Sequence, residues 1–408
     1  MKSMKKQLEK LIDIWLQVGI NIQGGQPLYI TLPDEYTYLK EIFDVKAQQL
    51  GVTNITYQFT QSYDSLLKNY HGHFTTYDND LRERYAIKED LLKNNCAYLE
   101  IRRGIDYFQE NQADALQSLK QIENRHNLSF RNKKRQQGNI VSCKTVIPTQ
   151  YWADYLFPKE KNALTKLWDL YFDITLANLD DAISLWNQRI DNIQKQVIYL
   201  NQQQFKSLSF TTEKSHLNVE LVDNHAWVGG CEITDKNIRY MPNFPTQEIF
   251  TAPKKTGVTG VMCNTKPLCH TGRVADDFTL CFEHGKLIQY NAMKNQELLE
   301  EIVHADENNS YCGEIAILPG TTEISKTNTV FHTTILDENA ACHLALGCAY
   351  PCSIHQKIKF TKEEFEKAHL NYSTSHVDVI FGDLSITIIA HTKNGEVIPL
   401  MQDGKWSI

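Results

Sequence analysis

The chain has no uninterrupted apolar run of about 18 residues, so no membrane span is expected. It also lacks a small-residue cleavage site after its basic start. The apolar residues of Met1–Leu16 are broken by charges at helical spacing, which predicts an amphipathic first helix instead of a signal peptide. No C-x-x-C pair occurs among the ten cysteines. Several of them sit in apolar segments, such as Cys281 and Cys348, where small buried thiols fit, and the pattern predicts a reducing cytoplasm over a disulfide framework. Basic charge is in deficit too: 42 Lys and Arg against 49 Asp and Glu give a formal charge of -7, which argues against a nucleic-acid partner or an anionic membrane surface. The one basic run, Arg131 to Arg135, has no interleaved aromatics or glycines and predicts a solvated helix or loop. Gly24 and Gly25 precede a strand, whereas a phosphate-binding loop follows one, so they predict a turn. There is no internal repeat and no low-complexity stretch.

What is present is ordinary enzyme composition over 408 residues, 42% hydrophobic and 22% charged, long enough for two domains. The first part alternates helical periodicity with short apolar runs. Helices are expected at 7–18 and 36–50, strands at 27–32, 54–59, 95–102 and 140–147, and a helical stretch to about 127; that alternation predicts a parallel sheet flanked by helices. Residues 161–205 read as helical, with Leu164, Leu167, Trp168 and Tyr171 on one face. After Phe205 strands and turns dominate, with expected strands at 217–222, 227–230, 280–290 and 386–390. The expected fold is therefore α/β and α+β: an N-terminal α/β domain with parallel sheet and a helical connector (1–205), and a mainly β C-terminal domain with helices (206–408).

The second half carries six candidate metal ligands: Glu248, Glu314, Glu338, His343, His376 and Asp378. Four carboxylates and two imidazoles suit a pair of divalent cations, because two such ions lie close together only where anionic oxygens bridge and neutralise them. Each residue has a plainer reading as well. His376 and Asp378, two apart in a strand-like run, project from one face and fit a hydrogen-bonded pair equally well. Glu314, in the apolar run Cys-Gly-Glu-Ile-Ala, needs a cation, which an Arg or Lys would also satisfy. Residues 337–350 read as a helix capped near Asp337 or Asn339 and ended by Pro351, with His343 and Tyr350 two turns apart on one face. Cys342 beside His343 leaves a soft-metal thiolate site open, against which the surrounding hard oxygen donors weigh.

Together these segments form N-x-P-T-x-E-x-F-T-A-P, then G-E-I-A, then L-D-E-N-A-x-C-H-L-A-L-G-x-A-Y-P, then H-V-D-x-x-x-G. The chain thereby resembles the thermophilic-type aminopeptidases, the M29 metallopeptidase family. The likeness extends to Val18–Pro27, Tyr199–Phe205 and Trp227–Glu232, essentially the whole length. It implies a homodimer with two divalent ions per subunit (zinc, cobalt or manganese) acting on peptides with a free N-terminus. By motif, Glu248, Glu314, His343, His376 and Asp378 correspond to the metal ligands, Glu338 to a further ligand or an outer carboxylate, Glu314 to a bridging ligand or base, and Tyr350 to the active-site tyrosine. Two departures stand out: Gln247 where an acidic residue is expected, and the basic region 125–135. The rival functions are a metal-dependent amidase or dipeptidase and a non-catalytic metal-binding scaffold.

Overall fold

The computed structural model describes residues 2–70, 72–106, 112–137, 140–270 and 272–408. The chain divides into two compact units, Met1–Asn187 with Cys231–Pro245, and Gln188–Gly230 with Thr246–Ile408.

In the first unit the order is α1 (Lys2–Ile14), β1 (Leu28–Pro33), α2 (Lys40–Gln49), β2 (Ile55–Thr60), α3 (Tyr63–Tyr70), α4 (Phe74–Leu92), β3 (Ala97–Arg103), α5 (Ala113–Gln137), β4 (Ser142–Ile147), α6 (Gln150–Leu156) and α7 (Ala163–Thr175). The four strands form a parallel sheet in the order β2-β1-β3-β4, as the alternation predicts. β1 lies inside it, and Leu28, Tyr29, Ile30 and Leu32 are buried on both faces, which accounts for the apolar run that marks it in sequence. α3 and α4 fall where the sequence pattern assigns no element. The buried positions of α4, Tyr77, Leu81, Lys88 and Leu92, keep helical spacing, but Lys88 and the Tyr77 hydroxyl break the apolar stripe. Gly24 and Gly25 form a turn, and the described part of the 131–135 run lies at the end of α5.

α8 (Ala182–Gln203) carries the chain from the first unit into the second, where β5 (Ser207–Thr211), β6 (His216–Leu221) and β7 (Val228–Gly229) follow. The short strands β8 (Glu232–Ile233) and β9 (Arg239–Tyr240) belong to the first unit again. The segment after them covers the outer edge of β4: the Lys144 N–H donates to Pro242 O (2.9 Å) and the Phe244 N–H to Lys144 O (2.8 Å).

The second unit continues with β10 (Ile249–Thr251), β11 (Pro253–Cys263), β12 (Leu268–His270), β13 (Arg273–Glu283), β14 (Lys286–Lys294), α9 (Gln296–Val303), β15 (Cys312–Ile317), α10 (Glu323–Lys326), α11 (Thr334–Asp337), β16 (His343–Gly347), α12 (Lys362–Lys367), β17 (His376–Ile380), β18 (Thr387–His391), β19 (Val397–Gln402) and β20 (Lys405–Trp406). A nine-stranded sheet runs β12-β13-β11-β6-β5-β18-β19-β20, with β14 on β13; a five-stranded antiparallel sheet runs β17-β16-β15-β10-β7. Phe210, Leu217 and Val219 of the larger sheet share one apolar cluster with Ile315, Leu344, Leu346, Val377 and Val379 of the smaller. The smaller sheet thus gives one face to the core and keeps the other for polar side chains.

Two expected elements differ. The run expected as one strand at 280–290 is a hairpin, β13–β14, turning at His284 (φ 47°) and Gly285 (φ 80°). Two successive left-handed residues are what a tight hairpin needs, and the second is glycine, whose Cβ would lie 1.9 Å from Lys255 O. The expected helix at 337–350 is instead the end of α11, a 3₁₀ turn at Glu338–Ala340, and the strand β16. All five β16 residues are buried, so the polarity alternation that signals a strand is missing, and Ala and Leu imitate a helix in its place.

Candidate metal centre

Period-two geometry on the small sheet assembles the site. Ile315 and Ile317, Leu344 and Leu346, and Val377 and Val379 enter the core, so Glu314 on β15, His343 and Ala345 on β16, and His376 and Asp378 on β17 face the other way. The register puts Glu314 opposite Ala345 and Ala345 opposite Asp378. Two carboxylates therefore flank a single methyl group, and Ala345 is the floor over which they meet. Glu248 arrives from the residue before β10, the strand paired with β15.

These side chains form two triads. Donor atoms of Glu248, Glu314 and His343 lie within 4.8 Å of one another, and so do those of Glu314, His376 and Asp378. Glu314 belongs to both, and its two oxygens divide between them: Oε1 is 3.5 Å from His343 Nε2 and Oε2 is 3.7 Å from His376 Nε2. Glu248 Oε2 is 3.4 Å from His343 Nε2, and Asp378 Oδ1 is 3.3 Å from His376 Nε2. Among the described residues no Lys or Arg pairs with Glu314, which disposes of the plainer reading of its buried carboxylate.

Both imidazoles are anchored through Nδ1, His343 to Ala341 O (3.2 Å) and His376 to Cys348 O (2.7 Å). Donation from Nδ1–H to a carbonyl leaves the lone pair of the neutral ring on Nε2, the atom aimed at the carboxylates. The donor set fits divalent cations: a tetrahedral ion with bonds of about 2.0–2.1 Å spaces its donors roughly 3.3–3.4 Å apart, close to the contacts above.

The electrostatics are those of crowded anions under burial. Burial raises the pKa of Glu314, against the lowering effect of the His343 hydrogen bond. Glu338 is held well above the ordinary carboxylate range by burial and then by Glu248 and Asp378. Burial opposes protonation of His376, but Asp378 and Glu314 outweigh it and lift the imidazole to about 9. His343 is likewise raised, because Glu248 and Glu314 outweigh its burial. Burial would raise Asp378 as well, yet His376 holds it below the usual range. Negative charge in excess of its compensation is what a cation relieves.

Glu338 lies on the 3₁₀ turn, near enough to feel Glu248 and Asp378 but outside both triads. Tyr350 reaches the site from the extended segment after β16, not along a helix face; its ring centroid is 4.7 Å from that of His376 and 5.8 Å from that of Phe250. Burial and then Glu314 keep its hydroxyl protonated well above the ordinary phenol range. Cys342 points away from His343: its thiol donates to Leu318 O (3.2 Å) and it belongs to the apolar core, so it supplies no thiolate to this face.

The structure adds two supporting residues that sequence spacing does not reveal. Asn339, almost fully buried, accepts through Oδ1 from the Gln247 N–H (2.8 Å) and the Thr246 hydroxyl (3.1 Å), tying the Glu248 segment to the turn that bears Glu338. Gln247 donates through Nε2 to Glu323 Oε2 (3.0 Å), and Arg189 pairs with the other oxygen of Glu323. An acidic residue at 247 would confront the Glu323 carboxylate, so the departure from the expected motif has a local electrostatic reason. The signal for Asn339 lay inside the D-E-N-A-A-C-H motif, where a capping role masked it.

A carboxylate-rich pair of triads sharing the buried Glu314, with a donor set that fits metal ions, is the kind of cluster a metalloenzyme carries. The chain belongs to the thermophilic metalloprotease family (M29), whose model matches residues 4–406. It is 32% identical over 410 residues to "Aminopeptidase 2" of Geobacillus stearothermophilus, covering 100% of this chain and 99% of that one. It is 30% identical over 427 residues to "Aminopeptidase T" of Thermus thermophilus, covering both chains fully. Among solved structures, wild-type AmpT from Thermus thermophilus superimposes with a TM-score of 0.87 at 26% identity, covering 99% of this chain and 100% of that one.

Proposed function

We propose that this chain, a metal-dependent aminopeptidase of the M29 family, holds two divalent cations in its two triads and removes the N-terminal residue from peptides. The observation that carries the reading is Glu314, whose two oxygens each face a different imidazole. Charge supports two ions: the four carboxylates Glu248, Glu314, Glu338 and Asp378 balance two divalent cations when both imidazoles are neutral ligands. Glu248 and His343 would hold one ion, His376 and Asp378 the other, and Glu314 would be shared between the two triads. Zinc, cobalt and manganese all accept this oxygen and imidazole set.

The cations, when bound, supply Lewis acidity toward the scissile carbonyl and toward water. The remaining steps fall to side chains. Glu338, outside both triads and beside Glu248 and Asp378, is the carboxylate we assign to take the proton from the attacking water and return it to the departing amine. Tyr350, protonated at neutral pH, donates a hydrogen bond to the oxyanion that develops on the carbonyl. A cation or a carboxylate of this set would hold the free α-amine of a peptide, which restricts cutting to the N-terminal bond. We assign the active form as a cytoplasmic homodimer; ten free cysteines support a reducing compartment.

The test uses chelator-stripped protein reloaded with zinc, cobalt or manganese, assayed on leucyl and alanyl anilides, a tripeptide and its N-acetylated form. Activity that returns with metal, tolerates the tripeptide and is lost on acetylation is the expected result. Elemental analysis is expected to give two metal equivalents per chain, and Glu314→Gln to lose both metal and turnover. Cleavage of the acetylated peptide favours the amidase reading, and no cleavage of any free-amine substrate refutes the proposal.

A further inference from the structure

The parallel sheet of the first unit has one face that its neighbours in such folds lack. Its register aligns Gln58 on β2, Thr31 on β1, Glu100 on β3 and Lys144 on β4, so four polar side chains form a row across all four strands. On the other face Ile30, Leu99, Ile101 and Cys143 are buried, as a parallel sheet requires. A polar row inside a covered sheet costs free energy unless its members are paired. All four members are half-buried, so solvent and small solutes reach them.

Positive charge gathers on the same face. Arg102, two residues beyond Glu100 on β3, donates through Nε to Glu100 Oε1 (2.5 Å). Lys88 of α4 is 9% exposed, and its ammonium group stands over three rings, 4.5 Å from the centroid of Phe130, 5.4 Å from Tyr85 and 5.8 Å from Tyr29. Ring faces attract a cation without cancelling its charge. Neither this ammonium group nor that of Lys144 has a hydrogen bond or ion pair among the described residues. Burial draws both pKa values down, that of Lys144 to about 8 with the Arg102 charge adding to the effect. Burial works to raise Glu100, but Arg102, Lys88 and Lys144 outweigh it and hold its carboxyl well below the ordinary range. Three cations thus face one carboxylate, and positive charge is left over.

We propose that this face binds a small dianion of the phosphate class, held by Lys144 and Arg102 on the sheet and by Lys88 from α4. A dianion matches the excess of three cations over one carboxylate, and its oxygens accept from ammonium and guanidinium groups together. The Thr31 hydroxyl, next to Glu100 in the row, offers a neutral donor. Service as counter-ions to Glu100 does not account for the two lysines, because Arg102 already fills that role at hydrogen-bonding distance. Every group named belongs to the first unit, so the site is independent of the metal centre.

The experiment measures binding of inorganic phosphate to the manganese-loaded full chain by equilibrium dialysis at fixed ionic strength, with acetate as a monoanion competitor. The variants are Lys144→Gln, Lys88→Met, Glu100→Gln and Glu314→Gln, each checked for folding by circular dichroism. Wild type is expected to bind phosphate saturably and to release little of it to equimolar acetate. Lys144→Gln and Lys88→Met each remove a cation and are expected to weaken binding by about 10-fold or more. Glu100→Gln removes the like charge and is expected to tighten it by about 3–10-fold, so the variants move affinity in opposite senses even if one folds poorly. Glu314→Gln is expected to leave this binding unchanged, which separates it from phosphate held at the metal centre. Absence of saturable binding, displacement by equimolar acetate, or an affinity that responds to Glu314→Gln but to none of the three first-unit substitutions overturns the proposal.

Discussion

Ala345→Val is the sharpest probe of how the sheet makes the centre. Ala345 stands in the register between Glu314 and Asp378, on the face opposite Leu344 and Leu346. Neighbouring strands lie about 4.8 Å apart, so the two carboxylate-bearing residues are separated by roughly 10 Å at Cα and their side chains lean over position 345. Valine adds two carbons about 1.5 Å beyond the alanine methyl, directly into that space. The fold has two responses. Displacing backbone to accept the new carbons costs about 1–3 kcal/mol of stability. Displacing Glu314 or Asp378 leaves stability nearer wild type but moves a donor by about 1 Å, far outside the roughly 0.2 Å tolerance of a coordination bond.

Either response weakens metal binding, by at least about 100-fold in Kd or about 2.7 kcal/mol. Isothermal titration of chelator-stripped protein with zinc or manganese measures the affinity, and thermal unfolding of the metal-free form separates the two responses. Ala345→Gly is the control: it leaves the floor open, costs about 0.5–1 kcal/mol through strand entropy, and is expected to keep both ions. If Ala345→Val binds two equivalents with wild-type affinity, the side chains do not converge over residue 345 and the account of the site as a cross-strand row is wrong.

Two further substitutions test the supports. Gln247→Glu sets a second carboxylate against Glu323 and removes a donor; it is expected to lower stability by about 1–3 kcal/mol, and adding Glu323→Gln is expected to recover part of that loss in thermal unfolding. Asp306 anchors the loop before β17, accepting from the Ser373 hydroxyl (2.6 Å) and from the N–H (2.7 Å) and hydroxyl (2.8 Å) of Thr374. Burial works to raise its pKa, but these hydrogen bonds hold it below the ordinary value, so its stabilisation is full above the unfolded pKa of about 3.9 and fades as pH falls through the lower folded one. The stability gap between wild type and Asp306→Asn, measured by denaturant unfolding of the metal-free protein, is therefore expected to be constant near pH 6 and to shrink below about pH 4; a gap that grows on acidification contradicts the sign.

The parallel sheet of the first unit was legible because its strands are apolar runs between helical periods, and β1, β2, β3 and β4 fall within one to two residues of the runs that predict them. α3 and α4 were not, since tyrosine hydroxyls and the buried Lys88 interrupt their apolar stripes. β17 was legible down to its facing, because His376 and Asp378 alternate with Val377 and Val379. β16 was not, for a reason rooted in the site itself. A strand that floors a crowded cluster of carboxylates and imidazoles needs small residues on the polar face, here Ala345 and Gly347, and large ones on the core face, and a string of Ala, Leu, Gly and Cys imitates a buried helix.

The helix reading placed His343 and Tyr350 together through a two-turn spacing, and the structure brings both to the centre by another route, His343 from within the strand and Tyr350 from the extended segment beyond it. Spacing along the chain was therefore a poor guide to why these residues meet. The flanking glycine is a better one. Gly347 sits opposite His376 at φ 106°, and a Cβ there would lie 2.3 Å from Ser375 O and 2.5 Å from Asn309 Oδ1. Only glycine lets β16 draw that close to the residue preceding His376 while turning the chain out toward Tyr350. The run Leu-Ala-Leu-Gly thus sets two things the centre needs, an open floor at 345 and a close approach at 347, neither of which is a ligand.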